Sequence, residues 1–209
     1  MNKKIIKAMY QNIASKDENR PVMQGVHFEE GRCYASDGHI LVILNEGSKT
    51  LDGKTLSLEG QEIDGRYPNV DSVFPRREDA DTELQLDIKQ LKDACVYHGR
   101  KQDSTDRDVV IIGGVGFNIS MLVKVLNTIL LVGTKDVKFI VKDRKHAVVV
   151  EVGTMMRCLI MPTLYLDEAV DMEVEPGDIA VLSYENLIND FVFNSWKKPQ
   201  QKEELAWAV

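Results

Sequence analysis

The chain has 209 residues, 44% of them hydrophobic and 28% charged; that supports a sizeable core, excludes wholesale disorder and fits one large domain or two small ones. The net charge of −7, read for the whole chain, argues against a nucleic-acid binder. Its distribution removes that objection: residues 1–165 carry as many Lys and Arg as Asp and Glu, so the entire acidic excess lies in 166–209.

Residues 3–15 predict a helix with Ile5, Ile6, Met9 and Ile13 on one face. Lys3, Lys4 and Lys7 lie on the opposite face, and no acid occurs before Asp17. Strands are expected over 22–30, 32–38 and 39–46. Residues 47–66 read as a polar, glycine-punctuated stretch with one short alternating run. Two prolines bound an extended segment, YPNVDSVFP, over 67–75. Residues 76–83 read as a charged loop. A second helix is expected over about 87–100 with Ile88, Leu91, Cys95 and His98 sharing a face. A strand, DVVII, follows. A third helix over about 119–131 has Asn118 as its N-cap and Ser120, Lys124, Asn127 and Thr128 as its polar face. Strands are expected over 136–143, 146–153 and 157–165. The C-terminal stretch is acidic to Asp178, and after Pro176-Gly177 it reads as a strand and a helix. Helices alternating with antiparallel hairpins predict an α+β fold.

Chemistry-bearing motifs are scarce. Cys33, Cys95 and Cys158 are far apart and odd in number, which fits reduced core thiols rather than a disulfide framework or a metal site. His27, His39, His98 and His146 show no metal-ligand spacing. No metal or other cofactor is expected. Asp37-Gly38-His39 reads as a tight turn rather than a catalytic group. GGVGFN, with Gly113, Gly114 and Gly116, imitates a dinucleotide loop but lacks the third glycine and a βαβ setting. No nucleophile elbow or phosphate loop occurs. The N-terminus lacks the apolar run of a signal peptide, and no stretch approaches the roughly 18 apolar residues of a membrane span. A cytoplasmic protein without membrane contact is expected.

Three segments, in order, resemble the bacterial DNA polymerase III beta sliding clamp family. RPVMQGVHFEEGRCYASDGHILVI (20–43) is similar to a strand, hairpin and DGH turn of that family. DGRYPNVDSVFP (64–75) resembles its link between second and third domains. GFNISMLVKVLNTI (116–129) with RCLIMPTLY (157–165) resembles its last domain. Ile40 stands where the family has Arg, and Thr163 where it has Met. The resemblance covers about residues 1–165. It implies a DNA-clamp-like fold of helices packed on antiparallel sheets. The expected parts are an abbreviated clamp-like domain at 1–75, a second at 76–166 and an acidic extension at 167–209.

The resemblance further implies a protein that does no chemistry. It would tether a DNA polymerase or other replication protein, or be handled by a clamp loader, on duplex DNA without reading its sequence. Diffuse positive charge on hole-lining helices serves that task; the candidates are Lys3, Lys4, Lys7, Lys89, Lys92, Arg100, Lys101 and Lys124. A short linear motif of the partner would enter an apolar groove formed by Met23, Ser36, Gly38, His39, Ile40, Leu41, Pro68, Val73, Leu159, Ile160, Met161, Pro162 and Thr163. A homo-oligomeric ring is the implied assembly, tetrameric with three lining helices per chain or trimeric with a fourth from the tail. The rival reading is a clamp-fold interaction or regulatory module that binds replication proteins without encircling DNA.

Overall fold

The computed structural model describes residues 2–78, 81–165, 170 and 178–195. It begins with helix α1 (Lys3–Ala8), which passes directly into a π-helical turn, Met9–Ile13. The Asn2 side chain caps α1 by accepting from the Lys4 and Ile5 amides. Ile5, Ile6, Met9 and Ile13 are all buried, so one apolar stripe attaches this short helical piece to the rest.

A 3-10 turn (Pro21–Gln24) leads into β1 (Val26–Glu29), β2 (Arg32–Ser36), β3 (Ile40–Leu44) and β4 (Lys54–Leu56). After the 67–75 segment come β5 (Thr82–Leu84), helix α2 (Ile88–His98), β6 (Val109–Ile112), β7 (Val115–Asn118) and helix α3 (Ile119–Leu130). Then follow β8 (Val137–Val141), β9 (Val148–Val152), β10 (Met156–Ile160), β11 (Val181–Ser183) and helix α4 (Tyr184–Ser195).

Eight strands form one antiparallel sheet in the order β4-β1-β2-β3-β10-β9-β8-β5. The first four strands come from the N-terminal part and the last four from the rest. They join where β3 pairs β10, in register Ile40↔Ile160, Leu41↔Leu159 and Val42↔Cys158. A second sheet, β11-β6-β7, has β11 parallel to β6.

The helices lie side by side, with α3 between α1 and α2 and α4 on the far side of α2; α3 packs on β3 and β10 of the large sheet, and α4 packs on β6 and β11 of the small one. The main core fills the space between these layers, and all three cysteines are buried and free. Strand alternation divides β3: Ile40, Val42 and Leu44 face that core, while Leu41 and Ile43 face a smaller cluster on the opposite side. All five are buried, which explains why ILVIL shows no polar alternation.

Three details depart from the sequence reading. Thr82 and Glu83, expected in a charged loop, form β5 with Leu84 against β8; Glu83 reaches Lys138 and Arg77, so its charge is accommodated at the sheet surface. Val115–Asn118, assigned to no element between the DVVII strand and the third helix, is strand β7. Gly113 and Gly114, with φ of +58° and +79°, form the two-residue β6–β7 turn, a geometry that favours glycine. Thr128 is fully buried rather than on a polar face; its hydroxyl donates to the Lys124 carbonyl, which satisfies it inside the helix.

Candidate functional site

The smaller cluster explains how a groove arises on the face away from the helices. Tyr34, Leu41, Ile43 and Leu159 present apolar surface there, and the 67–75 segment crosses it as a strap. Tyr67 and Val70 are the strap's buried anchors. The Tyr67 ring lies 5.2 Å from the ring of Tyr34, edge on, and 5.2 Å from that of His27. His27 Nδ1 is 2.8 Å from Thr55 Oγ1. Burial lowers the His27 pKa and raises that of the Tyr67 phenol, so both groups are held neutral near pH 7.

Polar contacts fix the strap's path. Arg32 donates two hydrogen bonds to the Asp71 carboxylate, at 2.9 and 3.0 Å, which holds that carboxyl below its ordinary pKa. Asn69 Oδ1 accepts from the Asp71 and Ser72 amides. The Arg157 guanidinium sits 4.3 Å from the centre of the Phe74 ring. The turn between β2 and β3 is equally well tied. Asp37 Oδ1 accepts from the His39 and Ile40 amides, and the Ser36 hydroxyl donates to the Ile40 carbonyl. Asp37-Gly38-His39 is therefore held as a turn, with Gly38 at φ +95°. The Met161 amide donates to the His39 carbonyl, at 2.8 Å, placing the end of β10 beside that turn.

Between strap, turn and sheet lies a groove of about 260 Å³ lined by Met23, Ser36, Gly38, His39, Ile40, Leu41, Tyr67, Pro68, Asn69, Val70, Val73, Leu159 and Met161. Its apolar character comes from two different sources. Leu41, Leu159, Val70 and Tyr67 are buried floor. Val73 and Met161 are large side chains left 54% and 40% exposed at the rim, where they have the reach and flexibility to meet a ligand. Such an enclosure is suited to a few apolar side chains of a peptide, with backbone and Asn69 or Ser36 groups to orient them. Among the described residues no group of three His, Cys, Asp or Glu side chains could hold a metal.

Of the residues expected here, Ile160, Pro162 and Thr163 are not in the lining. Ile160 is one position beyond Leu159, so alternation sends it into the main core. The Thr163 amide donates to the Gly116 carbonyl, and a Cβ on Gly116 would lie 2.4 Å from the Thr163 carbonyl oxygen. This stretch therefore turns away from the groove to cover the β7 edge, which is why position 116 is glycine. Tyr67, Asn69 and Val70 were not foreseen as lining. The i, i+3 spacing of Tyr67 and Val70 around Pro68 was the available signal.

The basic residues are distributed unevenly. Lys3, Lys4 and Lys7 are exposed on α1, with no described acid recorded in a salt bridge to them. Lys124 on α3 is half-buried and Arg100 is exposed after α2. Lys89 and Lys92 both pair with Asp93, at 3.4 and 2.6 Å. Lys101 pairs with Asp190 of α4 at 2.5 Å. The helical face is therefore basic at its α1 end and increasingly neutralised toward α4.

No family model matches the chain, and no curated protein matches its sequence. Solved structures do. The DNA polymerase sliding clamp of Caulobacter crescentus superposes with a TM-score of 0.61 at 17% identity, over 78% of this chain and 64% of that one. The beta subunit of the Streptococcus pyogenes DNA polymerase gives 0.60 at 14% identity, over 78% and 64%. The Pseudomonas aeruginosa sliding clamp bound to griselimycin gives 0.58 at 17% identity, over 78% and 63%. The chain thus has the fold of bacterial DNA polymerase III beta sliding clamps and spans just under two thirds of their length.

Proposed function

We propose that this protein is a clamp-fold processivity factor. It would dock a DNA polymerase or another replication protein through the apolar groove and hold it at duplex DNA, with no chemistry of its own. The observation that carries the reading is the groove itself. It sits where the two halves of the eight-stranded sheet join, in a fold shared with sliding clamps, and is bordered by a strap whose anchors are buried. Lys3, Lys4 and Lys7, with Arg100 and Lys124, supply the phosphate-directed charge; Lys89, Lys92 and Lys101 contribute less because each is paired with an acid.

Two titrations test the two halves. Griselimycin, bound in one of the clamp structures, is the groove probe: saturable binding is expected, and Met161→Asp should abolish it while leaving the fold intact. A flat titration with the wild-type chain sinks the groove reading. For DNA, affinity for a random-sequence duplex should fall steeply with salt, and replacing Lys3, Lys4 and Lys7 by Gln should reduce the log–log salt slope by about 2–3. An unchanged slope removes α1 from the DNA face.

One observation favours the second reading, a module that binds replication proteins without encircling DNA. Residues 178–195 fold onto α2 and β6, neutralise Lys101 and cover a sheet edge. Duplex affinity that is absent at every salt concentration, together with intact griselimycin binding, selects it.

A further inference from the structure

Four side chains among the described residues carry a buried nitrogen or oxygen without a hydrogen-bond partner: Tyr67, Asp81, His98 and Arg157. Three of them are anchored through other atoms. Asp81 Oδ2 accepts from the Glu78 amide, His98 Nε2 meets Asp108, and the Arg157 guanidinium lies over the Phe74 ring. Tyr67 has no second polar atom in its side chain. Its hydroxyl is unmatched, and it is the one of the four that lines the groove.

The two rings packed against Tyr67 are both satisfied. The Tyr34 hydroxyl donates to Glu29 Oε2 at 2.6 Å, and His27 Nδ1 is 2.8 Å from Thr55 Oγ1. The other side-chain oxygens of the groove lining are engaged as well. Ser36 Oγ donates to the Ile40 carbonyl and accepts from the Gly38 amide, and Asn69 Oδ1 accepts from the Asp71 and Ser72 amides. The Ser36 backbone approaches the phenol oxygen only as a donor, for it favours the ionised form, and a donor leaves the hydroxyl proton unmatched. Burial keeps that proton on the oxygen at neutral pH.

A buried hydroxyl without an acceptor costs stability. Phenylalanine would fill the same space beside His27 and Tyr34 without that cost, so packing alone does not account for the oxygen. Groups left unmatched in this way concentrate where a ligand completes them.

We propose that the Tyr67 hydroxyl is a specificity-determining donor of the groove: it selects a peptide that brings a neutral main-chain carbonyl, beside an apolar side chain, to the floor formed by Leu41 and Leu159. The inference rests on the groove reading and adds the polar half of what the groove takes. The floor holds the side chain, and the hydroxyl donates to the carbonyl next to it. In the empty groove the oxygen is sealed from water. Met23 and Met161, both in the lining, are unbranched and shift readily to admit the acceptor. A carboxylate is the poorer occupant, because the charge of Asp37 acts on the same site and repels a second anion. A wholly hydrocarbon ligand leaves the hydroxyl buried and still unmatched, and is rejected accordingly.

The test pairs two small probes with one conservative variant in the full chain. Benzylacetone supplies an apolar body with one ketone oxygen. The alkene in which a methylene replaces that oxygen supplies the same shape without an acceptor. Both are titrated by nuclear magnetic resonance into the wild type and Tyr67→Phe, with griselimycin as the groove control. The wild type should favour ketone over alkene by a ratio about five- to tenfold larger than Tyr67→Phe does, with the loss falling on the ketone. Tyr67→Phe should unfold at a denaturant midpoint no lower than that of the wild type, because it removes only the unmatched group. Equal ketone-to-alkene ratios in the two proteins, with griselimycin binding intact, overturn this proposal and leave the groove reading standing. So does a wild-type chain that binds griselimycin but not the ketone. A lower midpoint for Tyr67→Phe also overturns it, since the hydroxyl would then have a partner in the free protein. A wild-type chain that takes neither griselimycin nor either probe sinks the groove reading and this one with it.

Discussion

The groove and the α2–β6 edge are both apolar surfaces bordered by sheet, and the chain treats them oppositely. Over the groove, the strap buries Tyr67 and Val70 but leaves Val73 and Met161 exposed at the rim. Over the edge, β11 and α4 lay down a strand and a helix that pair the backbone and bury Leu187. The contrast follows from what each surface offers. The groove floor presents mainly side chains, since the β3 and β10 backbones are already paired with each other. A strand edge presents unpaired N–H and C=O groups, which cost far more to leave dry and unmatched and attract indiscriminate pairing when wet. An apolar hollow left open is selective, whereas an open edge is not.

Four measurements can break or sharpen that contrast. The largest effect is expected from Tyr67→Ala, which removes the strap's buried anchor and its contacts with Tyr34 and His27. It should cost about 3–5 kcal/mol, read as a lower denaturant midpoint, with loss of griselimycin binding. If stability is unchanged, the strap is not part of the folded unit. Leu187→Ala should cost about 2–4 kcal/mol, but locally: amides of β11 and α4 should exchange faster while those of β9 and β10 keep their protection. Loss of protection everywhere would show that β11 and α4 belong to the global core.

Val73→Asp should leave stability within about 0.5 kcal/mol because the residue is exposed. It should nevertheless weaken groove binding about tenfold, equivalent to about 1.4 kcal/mol. Unchanged affinity would place the binding surface elsewhere. The smallest effect is in acid. Burial raises the Asp108 pKa, but hydrogen bonds from Thr105, His98 and the Ala180 amide outweigh it, and the net shift is below the ordinary value of 3.8. A carboxylate lowered on folding contributes stability above its unfolded pKa and loses it as the pH falls through the folded value. The amides of β11 and α4 should therefore lose protection only below about pH 4, and Asp108→Asn should flatten that dependence. Loss of protection near neutrality would point to a different group.

Much of the fold was legible because its elements are locally consistent. Asn118 caps α3 by accepting from the Met121 amide, as its position before an amphipathic run implies. The stripe Ile5, Ile6, Met9 and Ile13 is buried as its spacing predicts, although the last turn is π rather than α. The strand and helix after Pro176-Gly177 are β11 and α4. What escaped was decided by neighbours distant in sequence. Glu83 looks like loop until Lys138 and Arg77 are beside it. Gly116 looks like part of a phosphate loop until the 163 backbone crosses over it.

The groove divides the same way. Leu41, Leu159 and Met161 were identifiable from the segments they occupy, but adjacency in a motif could not separate Leu159 from Ile160, which alternation sends to opposite faces. Likewise, a count of lysines could not tell Lys101, paired with Asp190, from Lys3. By itself the sequence determined the elements, their apolar faces and the neutrality of 1–165, because periodicity, caps and turns act over a few residues. Tertiary structure alone decided that β3 and β10 join into one sheet, that the strap leaves a groove open, and that β11 pairs with β6. Each of those outcomes depends on pairing between backbones tens of residues apart, and no local pattern records which partner a strand edge will meet.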